Sequence, residues 1–312
     1  MTNFATCTEA VPMPLPTTSP FTGLSAFPLT PVRDGRLDED AFAGLIDRLV
    51  AAGVDSIAPL GSTGCGPFFS AEVARLTVDR ADGIPVTIGI GALSTRDVLT
   101  NVESAEAAGA AALLLAPVSY HPLTETEVVE LFRTVASTSD LPVIVYDNPG
   151  TTRFAFTTEV YARLSEIEGV AAIKIPGLPL SPADWLERVA GIRQATGGRV
   201  AVGVSVDAYG AEGLIAGCDA WFSAIGGTLP APVLAITRAV EAGEIEHARA
   251  LAVHLQPLWD LFADFGGSLR VSAAIAEHLG LVSGDCLPAP LRRLSAEDTR
   301  RVAAVVDDLG LS

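Results

Sequence analysis

The stretch VAAIKIP, residues 170–176, is an apolar run of strand length that carries one charge, Lys174. Seven runs of the same character accompany it: GLSAFPLT (23–30), SIAPLG (56–61), PVTIGIG (85–91), AALLLAP (111–117), PVIVYDN (142–148), VAVGVS (200–205) and AWFSAIG (220–226). Amphipathic stretches of helical length separate them, such as EDAFAGLIDRLVAAG and TETEVVELFRTVAS. Several open on a Ser, Thr or Asp suited to an N-cap and end in Gly, as in SPADWLERVAG. Strands alternating with helices predict an α/β fold with a parallel sheet. Eight such pairs in about 220 residues fit a (β/α)8 TIM barrel better than a doubly wound open sheet, although the period alone does not show closure.

After the eighth helix, at about residues 230–242, the alternation stops. GEIEHARALAVHLQPLWDLFADFG, SLRVSAAIAEHLG and SAEDTRRVAAVVDDLG all read as helices. The expected organisation is therefore a flexible arm rich in Pro and Thr over 1–20, the barrel over 21–242, and a C-terminal helical extension over 243–312.

Lys174 is the only lysine of the chain, whose other 19 basic side chains are arginine. Arginine serves for surface charge, but its guanidinium stays protonated and is a poor nucleophile. A desolvated lysine can lose its proton and attack a carbonyl. Near the C-terminal end of the sixth run, Lys174 stands where active sites of such barrels sit. Alternation puts Val170, Ala172 and Lys174 on one face, with Ala171, Ile173 and Ile175 on the other. The larger apolar set suits the layer under the helices, so the lysine is expected to point inward. A barrel needing only packing would place Leu or Met there, because a buried ammonium is costly. A strand-end lysine with its head in water is the plainer alternative, and its position favours the chemical one.

The fifth run supplies a partner: Tyr146 has the parity of Ile144 and lies at a similar height, where its hydroxyl could pass protons to and from an amine intermediate. The second run ends in LGSTGCG, whose glycines allow a tight loop with backbone N–H groups converging on a carboxylate. Such loops often only turn the chain. The loop is not a G-x-S-x-G elbow, so a serine hydrolase is not indicated.

Composition narrows the rest. With 49% hydrophobic and 18% charged residues, the 312-residue chain can bury a large core. A formal charge of −17 and a pI near 4.5 argue against binding nucleic acid or anionic membrane through a basic surface. An anionic small substrate would need local N–H groups and a buried cation. Cys7, Cys65, Cys218 and Cys286 lie far apart, and His121, His247, His254 and His278 form no ligand pattern, so neither a metal nor another cofactor is expected. No signal or membrane span is read, and a soluble cytoplasmic protein is the expectation.

GSTG after strand two, Y-x-N-P-G after strand five and I-K-I on strand six, followed by a helical tail, resemble the dihydrodipicolinate synthase/N-acetylneuraminate lyase family of class I aldolases. The resemblance covers nearly the whole chain from about residue 22. It implies a barrel that assembles as a homo-oligomer, a dimer or tetramer. It also implies a lyase that forms a lysine Schiff base with pyruvate or a related 2-oxo acid and makes or breaks a carbon–carbon bond to an aldehyde. Position by position, Lys174 matches the Schiff-base lysine, Tyr146 the proton shuttle and Ser62 its relay partner. Thr63 and Gly64 match the loop that holds the 2-oxo acid's carboxylate, and Phe222 a position closing over it.

Departures matter as well. The synthases' arginine after Y-x-x-P is Thr151 here, with Arg153 two places on. Their relay tyrosine after strand four falls at Ser119, with Tyr120 one step out of register. Cys65 stands where glutamate commonly follows the loop; a space-filling role suits it better than a reactive thiol, since nothing basic is near in sequence. Ser205-Val206-Asp207 replaces S-G-D, putting a side chain near the pocket. These changes argue against the lysine-pathway reaction. A dehydratase of 3-deoxy-2-oxo sugar acids using the same iminium, or a barrel that binds a 2-oxo acid without turnover, are the alternatives.

Overall fold

The computed structural model describes residues 20–66 and 71–311, so residues 1–19 of the expected arm, Cys7 among them, lie outside the described residues. Each of the eight apolar runs contains a strand: β1 (Gly23–Ala26), β2 (Ser56–Ile57), β3 (Thr87–Gly89), β4 (Ala112–Leu115), β5 (Val143–Tyr146), β6 (Val170–Ile175), β7 (Ala201–Val204) and β8 (Ala220–Ser223). Their order in the parallel sheet is β2-β1-β8-β7-β6-β5-β4-β3. The two ends meet through a parallel bridge, Ile57 to Val86, reinforced by Ile57 N–H donating to the Pro85 carbonyl at 3.0 Å. The sheet closes, and the fold is a TIM barrel.

The intervening helices are α1 (Glu39–Ala52), α2 (Ala71–Arg80), α3 (Thr95–Ala108), α4 (Glu125–Thr138), α5 (Thr158–Ser165), α6 (Pro182–Thr196), α7 (Gly210–Ile215) and α8 (Pro230–Glu241). Their starts follow the N-cap reading: the side chains of Asp38, Ser94, Thr124, Thr157 and Ser181 each accept a first-turn N–H. Gly53, Gly109 and Gly197 end α1, α3 and α6 in the left-handed conformation that glycine adopts without a Cβ clash.

Packing divides by strand parity. Ile173, Ile175, Val202 and Val204 face the helices in the large outer core, where Trp185 and Trp221 are fully buried. The interior is filled differently, mostly by Ala58, Ala112, Ala172, Ala201 and Ala220, with Leu114 and Ile144 between them. Small residues low in the cylinder leave room for three rings, Phe27, Tyr146 and Phe222, near its mouth. The expected alternation along β6 fails at one point. Val143 pairs with Val170 but Ile144 with Ala172, so Ala171 is an extra residue. Val170 therefore joins the outer core and Ala171 packs on the interior, while Ala172, Ile173, Lys174 and Ile175 keep the expected faces.

The C-terminal helices are α9 (Ile245–His254), α10 (Gln256–Asp264), α11 (Ser268–His278) and α12 (Ala296–Asp308). The first long helical reading is thus two helices. Pro257, which has no N–H to donate back, begins α10 after a turn at Leu255. No helix among the described residues is long and apolar enough to cross a membrane.

Candidate active site

The register fixes the centre of the site. Tyr146 on β5 lies directly beside Lys174 on β6, and Lys174 beside Gly203 on β7. Gly203 is required by its neighbour: a Cβ there would come within 2.2 Å of the Phe222 ring. That ring, held edge-on against Phe27 with centroids 6.0 Å apart, therefore fills the space beside the lysine. The Lys174 Nζ lies 3.7 Å from the centroid of Phe27, 4.0 Å from that of Tyr146 and 5.7 Å from that of Phe222.

Lys174 is 4% exposed. Burial in this aromatic box pushes its pKa down from the ordinary 10.5, opposed by the Tyr146 hydroxyl and the Asp207 carboxylate. Burial thereby shifts the amine toward its neutral form. Asp207, beyond the end of β7, accepts from the Ser223 hydroxyl at 2.6 Å and from the Ile225 N–H at 3.1 Å, tying β7 to β8. Burial pushes its carboxyl up, against those two hydrogen bonds and the nearby Lys174.

Around the phenol lies a compact hydrogen-bonded triangle. The Tyr146 Oη and Ser62 Oγ are 3.1 Å apart, and the Asn148 Nδ2 donates to both, at 2.9 Å and 3.2 Å. Thr63 Oγ1 shares a hydrogen bond of 3.2 Å with Ser268 Oγ of α11. The backbone N–H groups of Thr63 and Gly64 meet no backbone acceptor among the described residues. Gly64 itself packs away from the lysine: its carbonyl accepts from Thr30 Oγ1 at 2.7 Å, and a Cβ would press on Leu60 and Pro28.

These groups open into a cavity of about 610 Å³ lined by Lys174, Tyr146, Ser62, Thr63, Asp207 and Phe222, among others. One wall comes from α10, α11 and the Gly266-Gly267 turn between them, so the helical tail forms part of the pocket. Of the sequence-selected residues, Lys174, Tyr146, Ser62, Thr63 and Phe222 line it, whereas Gly64, next to Thr63 in the chain, does not.

Thr151 lines the same cavity, whereas Arg153 is exposed and absent from its lining. Arg153 has φ 58° and closes the single helical turn Pro149–Thr152 through its N–H to the Pro149 carbonyl. Val206, at the mouth, has φ 64° and ψ 97°, a strained backbone for a β-branched residue. Tyr120 is 80% exposed and stacks edge-on with His121. Burial pushes the Cys65 thiol up to about 12, with Cys286 adding to the shift, so it is protonated at neutral pH.

A profile of the dihydrodipicolinate synthetase family matches residues 20–309. The chain belongs to that family. Dihydrodipicolinate synthetase family members are aldolase-type lyases, and this chain is accordingly an enzyme of that class. It is 31% identical over 285 residues to an uncharacterised DapA-like lyase of Halobacterium salinarum, covering 89% of this chain and 90% of that protein. A 4-hydroxy-tetrahydrodipicolinate synthase of Nitrosomonas eutropha is 29% identical over 300 residues, covering 94% and 99% of the two chains. The crystal structure of a dihydrodipicolinate synthase from Agrobacterium tumefaciens superposes with a TM-score of 0.86 at 42% identity, over 93% of this chain and 98% of that one.

Phe27, Asn148 and Asp207 also line the cavity, although the sequence pattern does not single them out as site residues. Asn148 had a usable signal, since it follows Tyr146 by two positions and shares its parity. Phe27 follows the last residue of β1, and nothing local marks it as a wall of the lysine box.

Asp147, next to the phenol, is 4% exposed and accepts a hydrogen bond from the Tyr161 hydroxyl. Burial raises its pKa from 3.8 to about 6, in spite of Tyr161, Arg188 and the Phe156 N–H. Between those values the folded protein keeps a proton that the unfolded chain has lost, so stability falls as pH rises through that window. A rise of this size corresponds to about 3 kcal/mol. Asp147→Asn keeps an acceptor for Tyr161 without the charge. It should raise Tm at pH 8 by several degrees and leave it nearly unchanged at pH 4, as thermal unfolding at both pH values would show.

Proposed function

We propose that this lyase forms a Schiff base between Lys174 and pyruvate or a related 2-oxo acid, and uses it to join or cleave a carbon–carbon bond to an aldehyde. The observation that carries the reading is a lone lysine buried in an aromatic box, its amine pushed toward neutrality beside the Tyr146–Ser62–Asn148 triangle. The neutral amine adds to the keto carbon, and the nitrogen loses a proton as the oxygen gains one, giving a carbinolamine. Tyr146, backed by Ser62, relays these protons; a further proton delivered to the carbinolamine hydroxyl lets it leave as water, and the nitrogen lone pair forms the cationic iminium. The Thr63 hydroxyl and the Thr63 and Gly64 N–H groups are suited to the substrate's carboxylate. The iminium takes up the electron pair when a proton leaves the neighbouring carbon, giving an enamine that adds to an aldehyde, or when an aldol bond breaks to release one.

The substrate is proposed to differ from that of the lysine-pathway synthases. Thr151 and the outward-facing Arg153 support this, because neither supplies a cation at that side of the cavity. Assembly into a homo-oligomer is also proposed; Leu93 and Tyr120, 71% and 80% exposed, are large apolar side chains that suit an interface. The test of the chemistry is incubation with pyruvate and borohydride followed by intact mass and peptide mapping. One reduced pyruvyl group on Lys174 is expected; an unmodified protein after exposure to pyruvate and longer 2-oxo acids would refute the reading.

A further inference from the structure

The chain carries a formal charge of −17, yet the chemistry proposed above requires an anionic substrate. Long-range repulsion works against binding, so affinity has to come from local N–H groups and from cations inside the cavity. Among the described residues two basic side chains line it: Lys174, whose nitrogen is taken up in the bond to the 2-oxo acid, and Arg270 on α11. Among the described residues, eleven arginines stand within 4 Å of a carboxylate. Arg270 is not one of them. Its Nε donates to the Arg292 carbonyl at 3.1 Å, which fixes the guanidinium by one edge. The two terminal amino groups have no acceptor among the described residues. Ser268, two positions earlier, holds Thr63 of the carboxylate loop, so the helix bearing Arg270 is anchored to the floor of the same site.

A guanidinium fixed at Nε with free terminal groups is arranged to receive a carboxylate in a two-pronged contact. We infer that Arg270 is a second anion-binding position in the Lys174 cavity and that the aldol partner carries an anionic group, so that the joined substrate is a 2-oxo acid with a second carboxylate at its far end. The inference rests on the Schiff-base reading. It places the cation on α11, on a different element from Thr151.

Longer 2-oxo acids imitate the joined substrate and permit a test that needs no knowledge of the aldehyde. Borohydride trapping is run at graded concentrations with 2-oxoglutarate against 2-oxopentanoate and 2-oxoadipate against 2-oxohexanoate, with pyruvate as reference. The proteins are wild type, Arg270→Gln and Arg270→Lys, and the readout is the half-saturating concentration. In the wild type at least one diacid should bind about tenfold or more tighter than its uncharged partner of equal length, the scale of a charged hydrogen bond. Arg270→Gln should bring the pair to near equality, Arg270→Lys should retain part of the difference, and pyruvate should be trapped equally by all three. No diacid preference in the wild type, a preference that survives Arg270→Gln, or loss of pyruvate trapping in that variant would each overturn the inference. Failure of wild-type trapping with every acid would instead overturn the Schiff-base reading beneath it.

Discussion

Replacing Lys174 with methionine should abolish the pyruvate adduct and at the same time make the protein harder to unfold. Both effects come from one feature, an amine placed where a barrel built only for packing would hold a thioether or an isobutyl group. On the Schiff-base reading, no iminium forms without this nucleophile. Exchange of the pyruvate methyl protons in heavy water, followed by NMR, should then drop by about 10⁴-fold or more. On stability, burial lowers the amine's pKa in the folded state. The unfolded chain therefore holds more protons between the depressed value and 10.5, and the cost of burying lysine is full below that window and vanishes as pH rises through it. The gain in Tm for Lys174→Met should accordingly be larger at pH 7 than at pH 10. No ion pair within 4 Å joins Lys174 to Asp207 among the described residues, and Asp207 keeps its bonds from Ser223 and Ile225, so the substitution leaves no broken salt bridge. A stable variant that still exchanges the methyl protons would remove Lys174 from the mechanism.

Tyr146→Phe is expected to be the second largest loss, and of a different kind. Its ring still stacks beside the amine, 4.0 Å away, so the box and the fold should persist. What disappears is the oxygen on which Ser62 and Asn148 converge. Loss of a general acid–base group of this sort lowers rates by about 10²- to 10³-fold. The adduct with pyruvate should still appear in quenched borohydride time courses, only more slowly, while methyl-proton exchange falls by that factor. Ser62→Ala should cost less, because Asn148 continues to donate to the phenol. Equal rates for Tyr146→Phe and wild type would place the proton shuttle elsewhere.

The barrel was legible because its strands are short apolar runs with both ends marked, and because eight of them admit closure. The inward aim of Lys174 followed from parity, since Ile173 and Ile175 required the helical side. The same parity failed at Ala171, where the register with β5 slips by one residue; a slip depends on the neighbouring strand, which a single run does not encode. The lysine and the phenol lie at the C-terminal ends of the adjacent strands β6 and β5, and the Ser62–Thr63 loop follows β2 at the same end of the barrel, so closure of the cylinder brings them together. Arg270 and Ser268 were illegible for the opposite reason. They lie in a segment that reads as an appendage, and only the packing of α11 against the mouth makes them part of a pocket.

That packing divides the molecule's labour between two tracts of polypeptide. On the proposed chemistry the cylinder supplies the reacting groups, and its hydrogen-bonded ring of eight strands holds them, so most changes there endanger chemistry and folding together. The wall from Trp259 to Arg270 belongs to helices outside the ring, whose substitutions leave every rung of the sheet intact. A lineage could therefore exchange one acceptor for another by editing that short tract, and an engineer wishing to redirect this protein should begin there.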